Sequence, residues 1–269
     1  MKIRLISDIH LDANQGWILP HMEDEKDQVL VIAGDIGNFR AHAKGRQHYF
    51  YEDVVERFKK VIAVLGNHDY YGGNIIDALQ QYRTDFYALG IELLERDSLY
   101  IDGVEFVGTT LWTDFRLGMD YDKAQTYMRD YEAIYEGEYR RVIPETIHGI
   151  NKENIAFLKH AEALRANFRA NYTPHLHITE EGGIAEDKRV LITHHLPTQE
   201  FMHPRWAGNE LNGAYIASVP HDILRGFDLC VFGHTHDFIN REAPITRHAC
   251  NPKGYGNYEM TNFNPEFIL

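Results

Sequence analysis

Residues 229–237 read LCVFGHTHD, and this stretch indicates both how the chain folds and where its chemistry lies. The apolar run Leu229–Phe232 predicts a buried strand, and Gly233 permits a sharp turn directly after it. His234 and His236 follow the turn, two positions apart. The stretch therefore predicts a strand that presents two imidazoles at its C-terminal end.

Two histidines spaced in this way are a weak signal by themselves, because the chain contains 16 histidines and surface histidines are common. His175 and His177 repeat the spacing, but no apolar run precedes them, so we expect them to be solvated loop residues. The signal of residues 229–237 becomes stronger because other apolar runs in the chain also end in polar side chains of ligand type.

Those other runs span residues 2–7, 29–33, 61–65 and 190–193. The polar residues that follow them are Asp8 and His10, Asp35, Asn67 and His68, and His194 and His195. Helical spacing at residues 50–60 and 74–82 alternates with the runs, which is typical of a parallel or mixed sheet. Ligands of an open α/β sheet bind outside the carboxyl ends of its strands, so we expect these polar side chains to converge.

The length of 269 residues predicts one layered α/β domain over residues 1–269, with ordinary hydrophobic (44%) and charged (25%) fractions. Residues 116–175 keep a helical spacing, but they do not continue the pattern of apolar runs followed by ligand-type residues. We therefore expect a helical insertion or cap with two long helices. Pro144 is expected to begin the second of them. Residues 238–241, 245–250 and the terminal segment are expected to complete a second sheet.

The composition of the chain also limits which classes of partner it can bind. No segment approaches the roughly 20 apolar residues that cross a bilayer, and the first residues lack a signal-peptide pattern, which predicts a cytoplasmic protein with no membrane partner. We expect Cys230 and Cys250 to stay reduced. The net charge of −13 argues against a broad nucleic-acid surface, but not against a small phosphorylated substrate, possibly a nucleotide, because bound metal ions can invert the local field. The sequence makes no prediction of the oligomeric state.

The polar residues at the strand ends form a ligand set of imidazoles, carboxylates and one amide oxygen, without a thiolate. This set suits Mn, Fe, Zn, Co or Ni and differs from a structural zinc site. The set contains too many ligands for one ion, but the number of ligands suits two ions that share a bridging carboxylate. Two divalent ions would create a positive well that attracts phosphate, and a hydroxide bridging them would exist near neutral pH.

Five short motifs then carry a resemblance: DIH at residues 8–10, GD at 34–35, GNHD at 66–69, THH at 193–195 and GHTH at 233–236. In this order they resemble the calcineurin-like metallophosphoesterases. The resemblance implies two packed mixed β-sheets flanked by helices, in four layers α/β/β/α, and metal-dependent hydrolysis of a phosphate ester. The segments GTTLWTDF at 108–115 and NPKGY at 251–255 are also similar to stretches of single-domain bacterial members.

The resemblance further implies roles for individual residues. One metal would be held by Asp8, His10 and His236, and the other by Asn67, His194 and His234. Asp35 would bridge the two ions, of which manganese is favoured. His68 would face the substrate and stabilise a phosphoryl oxygen or assist the leaving group. His194 is preferred over His195 as a ligand, and His195 is then expected to pack behind the ligands.

Several alternatives stay open. A phosphodiester or nucleotide substrate is slightly favoured over a phosphomonoester, and a non-catalytic, metal-stabilised interaction module of the same fold is the main rival. A nuclease is disfavoured by the acidic balance, and an iron oxygenase would leave Asn67 unexplained. Further residues are candidates either for substrate contact or for packing near the site: Asp69, Tyr70, Tyr71, Trp112, His203, Arg205 and Trp206.

Overall fold

A computed structural model describes residues 1–115, 121–172, 188–242, 244–256 and 259–269, with side chains except those of residues 166–172. The strands are β1 (Lys2–Ile6), β2 (Gln28–Ala33), β3 (Lys60–Val64), β4 (Ile91–Leu93), β5 (Asp97–Ile101), β6 (Val104–Thr109), β7 (Lys188–Thr193), β8 (Leu229–Phe232), β9 (Ile239–Arg241) and β10 (Arg247–Cys250). The α-helices are α1 (Phe39–His42), α2 (His48–Arg57), α3 (Ile75–Leu89), α4 (Tyr121–Tyr127), α5 (Asp130–Ala133), α6 (Pro144–Tyr172) and α7 (His221–Leu224).

The strands form two sheets. The first has the order β1-β2-β3-β4, and all of its neighbouring strands run parallel. The second has the order β5-β6-β7-β8-β10-β9 and is mixed, because only its two outer pairs are antiparallel. The predicted fold class of two packed sheets flanked by helices is confirmed.

Apolar side chains alternate along the strands and so divide the core into three layers. In β2, Val29 and Val31 face the second sheet, whereas Leu30 and Ile32 pack under α2 and α3. Such alternation is the two-residue period of a strand. Residues of β7 and β8 pack on their other face against α6 and α7. The two sheets are therefore held rigidly face to face, with helices on both outer sides.

The C-terminal segment pairs with the first sheet, so the prediction that it completes the second sheet is wrong. Ile3 N–H donates to Leu269 O at 3.2 Å, and Leu269 N–H donates back to Ile3 O at 2.8 Å. The exposed edge of β1 offers these backbone groups, and an antiparallel bridge between Arg4 and Ile268 extends the contact. Strands β9 and β10 join the second sheet as predicted.

Helix α3 illustrates how local sequence sets an element's ends. Asn74 caps its first turn by accepting from Ile76 N–H at 2.9 Å, and Gly90 ends it with a positive φ of 82°. The helix is longer than predicted and continues to Leu89, because the apolar side chain of Phe86 is buried against the first sheet.

The region predicted as a helical insertion contains α4, α5 and α6. Pro144 begins α6 as predicted, but the first of the two expected long helices is replaced by the short α4 and α5. The chain turns between them, and Asp130 becomes buried against Asn67. Residues 116–120 and 173–175 of this region, and with them His175 as well as the following His177, lie outside the described residues. Among the helices that are described, none has the length and apolar character needed to span a membrane.

Candidate metal centre

The predicted ligands meet at one edge of the facing sheets, just after the carboxyl ends of five strands. β1 leads to Asp8, β2 to Asp35, β3 to Asn67, β7 to His194 and β8 to His234. The backbone adopts φ values from 47° to 68° at Asp8, His10, Asp35, His234 and His236. Residues other than glycine rarely adopt this conformation, and it clusters at functional sites where the surrounding structure holds the strain.

Glycines precede several ligands because the strand ends approach one another too closely for a side chain. A Cβ atom at Gly34 would collide with the His194 ring, and one at Gly66 would collide with the Asp35 carboxylate. The GD and GNHD motifs therefore combine a ligand with the space that a neighbouring ligand needs.

The first group of candidate ligands consists of Asp8, His10 and His236, whose ligand atoms lie within 4.8 Å of one another. His236 Nε2 is 3.4 Å from Asp8 Oδ1 and 3.2 Å from His10 Nε2. On its other side, the His236 ring bonds through Nδ1 to the Glu259 carboxylate at 2.8 Å. A carboxylate behind the ring orients an imidazole so that Nε2 is presented to a metal.

The second group consists of Asp35, His194 and His234, again with ligand atoms within 4.8 Å of one another. His194 Nε2 is 3.4 Å from Asp35 Oδ1 and 3.1 Å from Asn67 Oδ1. His194 Nδ1 donates to the backbone carbonyl of Ala33 at 2.9 Å. This bond orients the ring and leaves Nε2 directed at Asp35 and Asn67.

Asp35 lies between the two groups. Its Oδ2 atom is 3.8 Å from His10 Nε2, and its Oδ1 atom is the one that faces His194. The same Oδ1 atom accepts a hydrogen bond from the backbone N–H of His68 at 2.9 Å, which fixes the carboxylate. This is the position that the sequence prediction gives to a bridging ligand.

His195 does not join either ligand group in the described part of the chain, whereas His194 does. His195 is buried, bonds through Nδ1 to Thr110 O at 3.3 Å, and packs 4.4 Å from the His234 ring. Trp112 lies on the other side of His195 at a ring distance of 5.2 Å. His195 thus packs between Trp112 and the candidate ligand His234.

Of the two alternatives left open for Tyr70 and Trp112, both residues take the packing position. Both side chains are 2% exposed, and their rings pack together at 5.6 Å. The hydrophobic area of the two rings drives them into the interior, where they form part of the layer beneath the site.

Asp69 contacts the backbone that carries Asp35. Its carboxylate accepts N–H bonds from Asp35 at 2.9 Å, Ile36 at 3.0 Å, Gly37 at 3.1 Å and Gly66 at 2.8 Å. Burial and the Asp35 charge raise the pKa of Asp69 to about 8, although the N–H donors of Gly66 and Gly37 oppose this rise. Asp69 thus ties together the loops that follow β2 and β3.

His68 lies beside both ligand groups and is held by aromatic neighbours. Its ring stacks on Tyr71 at 4.1 Å, and its Nε2 atom is 2.9 Å from the Tyr255 hydroxyl. It also forms a third close group with His10 and Asp35. The ring therefore has a defined position next to the centre.

Three supporting residues were not found from the sequence. Asp130 accepts from Asn67 Nδ2 at 2.7 Å and from the Tyr71 hydroxyl at 2.6 Å, which turns the Asn67 amide oxygen toward His194. Glu259 supports His236, and Tyr255 contacts His68. Tyr255 belongs to the NPKGY segment, which was a usable signal. No local pattern marks Asp130 or Glu259.

The carboxylates and imidazoles of the centre shift one another's pKa values. Burial alone would lower the pKa of His194, but Asp35 and Asp8 outweigh it and raise the value to about 9. Asp8 and Glu259 likewise overcome burial and raise the pKa of His236 to about 10. The two aspartates keep lowered pKa values, since the neighbouring histidines outweigh the effect of burial. The centre is thus a buried pair of carboxylates that attracts positive charge.

Two observations fit this centre to divalent metal ions. In both ligand groups, three ligand-type atoms lie within 4.8 Å of one another on side chains that are buried or nearly so. Buried carboxylates are costly unless their charge is compensated, and a bound cation would offset the charges of Asp8 and Asp35. The donor set of imidazole, carboxylate and amide oxygen also suits borderline divalent ions.

A cleft of about 1440 Å3 opens above the centre and is lined by Asp35, Asn67 and His68 at one end. Three of the candidates for substrate contact also line it: Tyr71, Arg205 and Trp206. The last two are tied to the residue after His236, because Arg205 pairs with Asp237 at 3.0 Å and Trp206 Nε1 donates to it at 2.8 Å. His203, another candidate for substrate contact, accepts a bond at Nδ1 from the Arg205 N–H at 3.2 Å.

Comparisons with known proteins cover most of the chain. A family model described as "Calcineurin-like phosphoesterase" matches residues 1–238. The "Uncharacterized protein L509" of Acanthamoeba polyphaga mimivirus is 24% identical over 291 residues, which cover 98% of this chain and 94% of that protein. The structure of phosphopantetheinyl hydrolase from Mycobacterium tuberculosis is similar with a TM-score of 0.65 and 17% identity, covering 96% of this chain and 93% of that chain. A dimetal phosphatase from Danio rerio has a TM-score of 0.47 and 13% identity, covering 98% and 89% of the two chains.

Proposed function

Because the chain belongs to the calcineurin-like phosphoesterase family, we propose that it is a metal-dependent hydrolase of phosphate esters with a binuclear metal centre. Phosphodiesters or nucleotides are favoured as substrates over phosphomonoesters. The observation that carries the proposal is the convergence of two ligand groups on either side of Asp35, at the end of a cleft large enough for a substrate.

The proposal assigns one ion, preferably manganese, to Asp8, His10 and His236. It assigns a second to Asn67, His194 and His234, with Asp35 shared between them. When bound, divalent ions would polarise phosphoryl oxygens and lower the pKa of a water molecule so that hydroxide is available near neutral pH. The chain itself supplies the buried negative charge of its two aspartates in an orientation fixed by neighbouring N–H donors.

The proposed catalytic role of His68 is to donate a hydrogen bond or a proton to an oxygen of the phosphate ester. The contact with the Tyr255 hydroxyl and the stacking on Tyr71 support this role, because they hold the ring beside the centre at a defined angle. General acid catalysis of this kind contributes typically 10²–10⁴-fold to a rate.

The size of the cleft favours a substrate larger than a simple phosphate monoester. Binding sites for small molecules typically measure about 300–1,000 Å3, and this cleft of about 1440 Å3 exceeds that range. The fold shared with a phosphopantetheinyl hydrolase adds a phosphopantetheinyl ester to the substrates to be tested.

The remaining features of the proposal concern the whole protein. We regard residues 1–269 as one domain with a helical insertion at about 116–175, acting in the cytoplasm on a small substrate without a broad nucleic-acid surface. Cys230 and Cys250 are both buried and unpaired, which is in keeping with a reducing compartment.

The experiment compares the hydrolysis of bis-p-nitrophenyl phosphate with that of p-nitrophenyl phosphate. The protein is first chelated and then given manganese, and metal content is counted on the same sample. We expect turnover that depends on metal, about two ions per chain, and a higher rate on the diester.

The two rival functions predict different results. A higher rate on the monoester would identify a phosphomonoesterase with the same centre. Full metal loading without turnover on either ester, on nucleotides or on a phosphopantetheinyl ester would indicate a metal-stabilised interaction module instead.

A further inference from the structure

One wall of the cleft carries three arginines that the proposed chemistry does not use. Arg40, Arg129 and Arg141 line the cleft together with His68 and Tyr71. All three are exposed. We call these three residues the arginine wall.

The arginine wall differs from Arg205, another arginine of the cleft, because its positive charges have no carboxylate partner. Within the described ranges, no carboxylate lies within 4.0 Å of a guanidinium nitrogen of the three arginines, whereas Arg205, which also lines the cleft, is paired with Asp237 at 3.0 Å. The chain as a whole has a net charge of −13. Uncompensated positive charge gathered in the cleft of an acidic protein is suited to an anion that enters from solution.

The side chains of the arginine wall are also positioned by their neighbours. The Arg141 guanidinium lies 3.8 Å from the centroid of the Tyr135 ring, and that of Arg129 lies 5.8 Å from the centroid of Tyr71. The stem of Arg40 packs on Gly72, where any Cβ atom would displace it. Stacking holds a guanidinium flat while its N–H edge stays free to bind a phosphate with two parallel hydrogen bonds.

Two backbone segments join to build this wall. Gly72 N–H donates to Ala133 O at 2.8 Å, Tyr135 N–H to Gly73 O at 3.0 Å, and Ile75 N–H to Tyr135 O at 2.8 Å. The loop after the GNHD motif is thereby tied to the residues around α5. Because these bonds are made by the backbone, the arginines project from a firm support.

The arginine wall lies close to the candidate metal centre. The Tyr71 ring that lies beneath Arg129 stacks on the His68 ring at 4.1 Å. One aromatic ring therefore separates the cationic wall from the proposed catalytic histidine. One substrate molecule of moderate length can therefore place one anionic group at the arginine wall and a phosphate at the centre.

We infer that the arginine wall binds a second anionic group of the substrate, so that the substrate is a phosphate ester that carries another phosphate away from the scissile one. This inference rests on the proposed function for the position of the scissile phosphate. Among the carboxylates that line the cleft, Glu259 is bonded to His236, Asp12 to Asn38, and Asp35 lies in the centre. Glu132 also lines the cleft and is exposed in the same segment as Arg129, so its negative charge disfavours an anion at the arginine wall.

The test measures binding by isothermal titration calorimetry to the manganese-loaded protein. The probes are linear alkanediol bisphosphates with three to eight carbons, each compared with the monophosphate of the same diol. We expect one range of lengths at which the bisphosphate binds about tenfold or more tightly than its monophosphate. In R129Q and R141Q this ratio should fall toward one, and in E132Q it should rise.

Arg225 provides the matched control, because it is exposed and does not line the cleft. R225Q should keep the wild-type ratio. The inference is overturned if no spacer length favours the bisphosphate, or if the preference survives in R129Q and R141Q. Metal-dependent turnover is measured separately, so its failure with an intact bisphosphate preference would overturn the proposed function and leave the arginine wall as an anion site.

Discussion

Two clusters of buried histidine rings differ in one respect that separates a structural cluster from a candidate metal centre. His42 on α1 is buried against α2 and α3, where its Nε2 bonds to the Asp85 carboxylate at 2.9 Å and its ring stacks on Tyr82 at 3.8 Å. Its Nδ1 lies 3.4 Å from the Tyr51 hydroxyl. Every polar atom of this ring therefore has a neighbour that suits it.

In the candidate metal centre, the buried Nε2 atom of His234 has no such neighbour within the described residues. Burial lowers the pKa of both His42 and His234, so burial and pKa do not distinguish the two sites. The ligand-type side chains that surround each ring distinguish them. His234 shares a close group with Asp35 and His194, whereas His42 joins no such group in the described part of the chain, and this difference indicates where a cation would bind.

The largest effect is expected from D35N, and the matched control is D85N in the His42 cluster. The Asp35 carboxylate faces both ligand groups, so its neutralisation should remove both ions and reduce turnover to the background rate while the fold persists. D85N should keep about two ions per chain and most of the activity. Metal counting and circular dichroism on both variants check this. Equal metal loss in the two variants would remove the distinction between the clusters.

A smaller effect is expected from H68A. The sequence pattern gives His68 a place facing the substrate, and its Nε2 contacts the Tyr255 hydroxyl, so we predict that His68 is not a ligand. Turnover should fall by about 10²–10⁴-fold while the metal content stays near the wild-type value. Parallel loss of metal and rate would instead identify His68 as a ligand, in line with its closeness to His10 and Asp35.

The residues behind the ligands should matter less than the ligands themselves. E259Q removes the charge that supports His236, and D130N weakens the acceptor that orients Asn67. Each change should weaken metal affinity by about 10–100-fold, as is usual for residues that hold metal-binding side chains. Competition with a fluorescent chelator measures the affinity. Unchanged affinity in both variants would mean that the ligand rings are held by packing alone.

The smallest effect on catalysis is expected from H42Q, which should change only the pH dependence of stability. Burial lowers the pKa of His42 to about 4, despite the nearby Asp85, and His48 adds to the lowering. Tyr51 and Tyr82 also face the ring and stay neutral in this range. Because the folded pKa is below the unfolded one, stability should be full above about pH 6.5 and fall by roughly 3 kcal/mol as the pH drops to about 4.

Urea denaturation of the chelated protein at pH 7, 6 and 5 tests this prediction. H42Q keeps an N–H donor for Asp85 but cannot titrate, so its stability should fall less over this range than that of the wild type. Identical pH profiles for the two proteins would show that His42 is not the titrating group.

The sequence predicted the strands and the residues at their ends more accurately than the helices. The strand β8 and the turn at Gly233 lie where the apolar run indicates, because a buried strand is specified by a short local pattern. The insertion was less predictable. Its polar and aromatic spacing suggested two long helices, but tertiary contacts of Asp130 with Asn67 and Tyr71 accompany the break between α4 and α5.

For the site itself, the sequence by itself determined the inventory of ligand types, since each stands directly after an apolar run that must become a strand. The tertiary structure alone decided how those side chains are oriented and what surrounds them. It separated His194 from His195, buried Tyr70 and Trp112, and brought Asp130, Glu259 and the arginine wall to the centre and its cleft. The physical reason is distance along the chain: contacts such as those of Tyr255 with His68 join residues 187 positions apart, and they form only when the two sheets pack face to face.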